Sequence, residues 1–115
     1  MGRRHRQREK RSAPVAEYRD GAGAVLTLRG SLPPAARREY AAVLTGGLER
    51  EDAWQRGAEL LFERLAVSWS IEGLEIKRQQ ELLGRYRMAS AQERQFVRRS
   101  LREHLAEHFP ELQPP

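Results

Sequence analysis

Apolar residues recur every three to four positions along most of this chain, and only near its start do they gather into short β-prone runs. Residues 15–30 read VAEYRDGAGAVLTLRG. Val15 and Tyr18 lie before the turn signal Asp20-Gly21, and Val25, Leu26 and Leu28 lie after it. β-branched and aromatic residues suit a pleated, half-buried surface, and Gly21 and Gly23 permit the positive φ of a tight connection. The pattern predicts a β-hairpin. Two strands are marginal in water, so the hairpin must pack on a helix or extend a neighbour's sheet.

After residue 30 the helical period takes over. In SLPPAARREYAAVLTGG, Pro33 and Pro34 suit a first turn, and Ala36, Tyr40, Val43 and Leu44 share a face. Gly46-Gly47 closes the element. A second helix is predicted to start near Glu51 or Asp52 and to run through Trp69. Its stripe is Trp54, Ala58, Leu61, Leu65 and Trp69, flanked by Leu60 and Phe62. The pattern breaks at Gly73 and resumes around Leu82, Leu83 and Tyr86. Ser90 and Glu93 then form S-x-x-E, a capping box opening a last helix. Val97, Leu101, Leu105 and Phe109 repeat every fourth residue until Pro110 stops it. Without that cap, residues 76–110 would read as one helix rather than two. The predicted fold is mainly α with an N-terminal β-hairpin (α+β), a small bundle of about four helices. One domain spans 15–110, between a disordered basic arm at 1–14 and a tail at 111–115.

Composition narrows the chemistry. A length of 115 residues suits a single core. The absence of cysteine excludes disulfides, thiolate zinc sites and cysteine nucleophiles. No apolar run approaches the roughly 20 residues that span a bilayer. The N-terminus MGRRHRQREKRS has no apolar stretch behind its charges, so it does not read as a secretory signal, and a cytoplasmic protein is expected.

The net charge of +5 is unevenly placed. Residues 1–11 hold Arg3, Arg4, Arg6, Arg8, Lys10 and Arg11 against Glu9, so the remaining chain sums to zero. That segment is either a solvated tail or an arm that neutralises phosphates or an acidic partner. Within the neutral body, residues 48–75 are net acidic and residues 76–102 net basic, with Arg94, Arg98 and Arg102 in a row on the last helix. Either the acidic helix packs beside the basic ones, or the two regions form a surface for self-association or an acidic partner.

One short motif suggests catalysis. HLAEHFP, from His104 to Pro110, contains H-x-x-E-H, which places His104 and His108 on one helical face as zinc would require. A site needs a third ligand, yet the only other histidine is His5. Histidines in the last turns of a helix also suit its dipole, with His104 on the flank of the apolar row and His108 at its margin. No metal is expected. Nor is a cofactor or an enzyme, since the serines lie in no nucleophile elbow and no phosphate-binding glycine loop is present. Core packing is the plainer role for Trp54 and Trp69.

The segment LLFERLAVSWSIEG carries a resemblance. An amphipathic helix leading into Val67-Ser68-Trp69, then a short break and a helical C-terminal half, resembles the small tail assembly chaperones of long-tailed bacteriophages. The preceding AVLTLRG is similar to the β-rich opening of those proteins, so the likeness covers roughly residues 15–75. It implies a non-enzymatic factor without cofactors. Such a factor coats the tape-measure protein in the host cytoplasm before tail-tube subunits polymerise around it. The candidate partner contacts are Trp54, Phe62, Trp69, Arg94, Arg98 and Arg102, and a hairpin edge could pair between copies. The alternative is a nucleic-acid-associated accessory protein acting through Arg3, Arg4, Arg6, Arg8, Lys10 and Arg11.

Overall fold

The computed structural model describes residues 15–115, and the expectations for residues 1–14 lie outside the described residues. The predicted hairpin is present. Strand β1 (Val15–Arg19) pairs antiparallel with β2 (Val25–Arg29), from Val15 opposite Arg29 to Arg19 opposite Val25. Asp20 makes the turn by accepting backbone N–H bonds from Ala22 and Ala24, both at 2.9 Å. Gly23, with φ 94°, takes the left-handed position. Helix α1 (Pro34–Thr45) follows and buries Ala36 and Tyr40.

The central helix is shorter than the periodicity suggests. Helix α2 (Arg50–Leu65) ends before Trp69, and Ala66–Ile71 forms strand β3, antiparallel to β2. A β-bulge accounts for the difference. Leu26 pairs with Trp69 and Leu28 with Ala66, so Val67 is an extra residue on the β3 side. Leu26 and Leu28 sit two apart and point inward, while their partners sit three apart and also point inward. The bulge thus stretches a strand's period to one that reads as helical.

Gly73 does mark a break, but the break is a second hairpin turn. Glu72 (φ 52°) and Gly73 (φ 81°) both have positive φ, as a two-residue type I′ connection requires. Ile71 pairs with Leu74 across it, and β4 (Leu74–Ile76) completes an antiparallel sheet in the order β1-β2-β3-β4. The fold is α+β, with four helices and one four-stranded sheet among the described residues. The strands are therefore not confined to an N-terminal hairpin.

Helix α2 contacts all three other helices. Its Phe62 stacks on Tyr86 with ring centroids 4.8 Å apart and meets Trp69 edge-on at 5.6 Å, so one aromatic cluster joins helix to sheet. Gly57 lets α1 approach. A Cβ there would lie 3.0 Å from the Tyr40 ring and 3.2 Å from Leu44.

Residues 76–110 contain two helices, α3 (Gln79–Arg87) and α4 (Ala91–His108). The capping box is complete: the Glu93 N–H donates to Ser90 Oγ at 3.1 Å, and the Ser90 N–H donates to Glu93 Oε1 at 2.9 Å. Glu93 also takes both arms of the Arg85 guanidinium, at 3.0 and 2.7 Å, which holds its carboxyl below the usual range and ties α3 to the start of α4. Ser90→Ala is expected to lower stability by about 1 kcal/mol, read as a shift of the urea midpoint at unchanged slope. Helix α4 stops at His108, and Phe109 is non-helical with φ −139°, as the residue before Pro110 should be. The expected tail at 111–115 is docked. Leu112 packs on the core, the Tyr40 hydroxyl donates to the Gln113 carbonyl, and Pro115 is buried.

Candidate functional site

The histidine motif resolves first. His104 is fully buried rather than on the flank of α4. Its Nε2 lies 2.5 Å from the Arg29 carbonyl and its Nδ1 lies 2.8 Å from the Tyr18 hydroxyl. A carbonyl only accepts, so Nε2 carries the proton and Nδ1 accepts from Tyr18. Both ring nitrogens are engaged, and neither has a lone pair left for a metal. Burial pushes the His104 pKa down, with the nearby His108 adding to the shift and the bond to Arg29 opposing it. His104 therefore stays neutral near pH 7 and does not supply the helix-terminal positive charge expected of it. Tyr18 is pushed up to about 12 by burial, then by Glu107 and Glu103. His108 is half-buried beside His104, with 4.4 Å between ring centroids. Among the described residues, no three His, Asp or Glu side chains converge at metal-ligand spacing. The motif joins the first hairpin to the last helix.

The candidate partner contacts divide. Phe62 and Trp69 are 0% and 1% exposed and lie in the core, where their apolar surface packs against Tyr86 and the sheet. Arg102 is exposed further along α4 and donates from Nε to the Pro115 carbonyl at 3.1 Å. Of the other three, Arg98 meets Trp54, and Arg94 meets Tyr86 instead. Trp54 is half-buried on α2, with the Arg50 and Arg98 guanidiniums 5.7 and 5.9 Å from its ring centroid. Arg94 lies over Tyr86 at 5.6 Å and donates to the Arg87 carbonyl. The 94, 98 spacing puts both arginines on one side of α4, Arg94 towards α3 and Arg98 towards α2.

Between α2, α3 and α4 runs an open groove of about 740 Å³, lined by Leu48, Asp52, Arg56, Glu59, Tyr86, Arg94 and Arg98 among others. Its charges explain the segregation seen along the chain. Arg87 bonds Glu59 at 2.6 Å and Arg98 reaches Glu51 at 3.4 Å, so acidic α2 does pack beside the basic helices. The pairing is incomplete. Arg56 and Arg94 contact no carboxylate among the described residues, and the buried Nε of Arg98 finds no acceptor there. Leu48, 44% exposed, supplies an apolar rim. The groove can hold a chain segment that carries acceptor or acidic groups and some apolar surface.

Pairing between copies has changed terms. Among the described residues strand β2 is internal, and β1 and β4 are the edge strands. Among the described residues no helix is long and apolar enough to cross a membrane. Sequence gave the arginine row and Trp54 through helical spacing. It could not give Tyr86 or Arg56 as their neighbours, because no pattern reports which helices lie side by side. Comparison of the chain with protein-family models, with curated proteins and with solved structures found no match.

Proposed function

We propose that this chain is a non-enzymatic protein-binding factor, a tail assembly chaperone of the kind its sequence resembles. In this reading it works in the host cytoplasm, and its helices act as a small bundle around α2 that shields the tape-measure protein while tail-tube subunits polymerise. The observation that carries the reading is the groove lined by Tyr86, Arg94 and Arg98, in which Arg94 meets no carboxylate among the described residues, with Trp54 beside Arg98 at 5.9 Å. Aromatic rings and arginines are the side chains enriched at the centres of interfaces. β1 and β4, the edge strands among the described residues, would let successive copies, or an extended client strand, add to the sheet.

The test is co-expression of the chain with a tape-measure polypeptide, followed by titration of the purified pair. Arg94→Glu with Arg98→Glu is expected to weaken binding about tenfold or more at unchanged helical content, because two attractive charges become repulsive. Client binding that is untouched by the double substitution would overturn the reading. The charge of residues 1–11 supports a second one, contact with nucleic acid. Deleting residues 1–11 should leave client binding intact, whereas loss of DNA binding alone would favour that alternative.

A further inference from the structure

Helix α4 carries two pairs of like charges, Arg94 with Arg98 and Glu103 with Glu107, each at the four-residue spacing of one turn. Each glutamate follows an arginine by nine positions, which is about two and a half turns. The pairs therefore project from opposite sides of α4, about 13 Å apart along its axis. Their surroundings agree. Arg94 lies over Tyr86 of α3 and Arg98 over Trp54 of α2, whereas both glutamates act on Tyr18 of β1.

Neither side is neutralised where it stands. Four arginines line the groove, Arg56, Arg87, Arg94 and Arg98, against two carboxylates, Asp52 and Glu59. Glu59 is taken by Arg87, and Arg56 and Arg94 meet no carboxylate among the described residues. On the opposite flank, no lysine or arginine among the described residues pairs with Glu103 or Glu107. The one contact there is His108 Nε2, 3.4 Å from Glu107. Both glutamates are exposed, and Ala106, exposed beside them, adds no bulk that would hold a neighbour off. A groove with surplus cations and a flank with surplus anions are complementary.

We infer that the groove of one copy receives the Glu103–Glu107 flank of a second copy, whose carboxylates meet Arg56 and Arg94. A two-fold pair would need both surfaces on one side of the molecule, and they lie on opposite sides of α4. The contact is therefore head-to-tail. It leaves a groove open at one end and a flank open at the other, so it repeats. The inference goes beyond the client-binding reading and stands without it, since it names what the groove holds when no client is present.

The experiment is sedimentation of the full chain. At about 10 mM salt, where charges act over about 30 Å, species should grow with protein concentration beyond a dimer. About 1 M salt, which cuts that reach to about 3 Å, should return the chain to a monomer. Arg56→Gln with Arg94→Gln removes the groove's surplus, and Glu103→Gln with Glu107→Gln removes that of the flank. All four side chains are exposed, so the fold is spared, and circular dichroism checks it. Each double variant alone should associate about tenfold more weakly or worse. Mixed in equal amounts, they should form a pair and nothing larger, because one intact flank meets one intact groove and the other junction is neutral. A wild-type chain that stays monomeric, or whose growth stops at a dimer, would overturn the inference. A mixture no larger than its parts would do the same. Undiminished association of either variant would move the contact elsewhere, to an edge strand of the sheet. The full chain with the six cations of residues 1–11 replaced by glutamine should assemble as the wild type does. Loss of assembly there would assign the acidic flank to the basic arm and sink the copy-to-copy contact. No client enters these measurements, so their failure leaves the client-binding reading standing.

Discussion

Trp69→Ala is expected to lower the stability of the folded chain by about 3–5 kcal/mol, the usual cost of deleting a large buried aromatic. Trp69 is among the largest fully buried side chains. It sits on an inner strand between Leu26 of β2 and Ile76 of β4, with Phe62 beneath it and the Arg85 guanidinium 5.6 Å from its ring. Helix and sheet meet at this ring, so its loss leaves a cavity that neither layer can close alone. The measurement is urea unfolding followed by far-ultraviolet circular dichroism. A loss below about 1 kcal/mol would place Trp69 outside the core, since surface changes rarely exceed half that value. Leu65→Ala at the end of α2 belongs to the same core, with an expected cost of about 2–5 kcal/mol.

Trp69 also marks where the sequence misleads. Leu65 and Trp69 are four apart, the spacing of one helical face, yet a strand begins between them. The bulge at Val67 hides the strand because it breaks the alternation by which strands are recognised. The β3–β4 turn is hidden too. It places Glu72 at a positive φ where asparagine or aspartate is the usual signal, and β4 is only three residues long. What could be read rested on local chemistry: the Asp20 turn, the Ser90–Glu93 box, and Pro110 as a stop. Each depends on neighbours within a few residues. The groove was half legible for the same reason. Helical spacing united Arg94 with Arg98, but their meeting with Trp54 and Tyr86 depends on tertiary packing.

His104→Ala should be the most disruptive polar substitution, at about 2–4 kcal/mol, because it opens a cavity and strands two hydrogen-bonding groups. The Tyr18 hydroxyl and the Arg29 carbonyl both lose their partner, and with them goes a link between the sheet and α4. The same residue sets a pH response. Its folded pKa is lowered from 6.5, so the unfolded chain takes up a proton at a higher pH than the folded one. The stability that neutral His104 provides is complete above about pH 6.5, and it is lost as pH falls through that value towards the lower folded pKa. The slope contributed cannot exceed about 1.4 kcal/mol per pH unit for one proton. His104→Gln keeps a polar side chain without titrating, so the slope between pH 7 and pH 5 should be shallower in that variant. Glu93, whose pKa is also lowered, loses its contribution as pH falls below the usual carboxylate range, and it does so equally in both proteins. The comparison therefore isolates the imidazole. Equal slopes would mean that His104 is not held neutral by its burial. A zinc-dependent rise in Tm that vanishes in His104→Gln would mean that its nitrogens leave Tyr18 and Arg29 to bind metal.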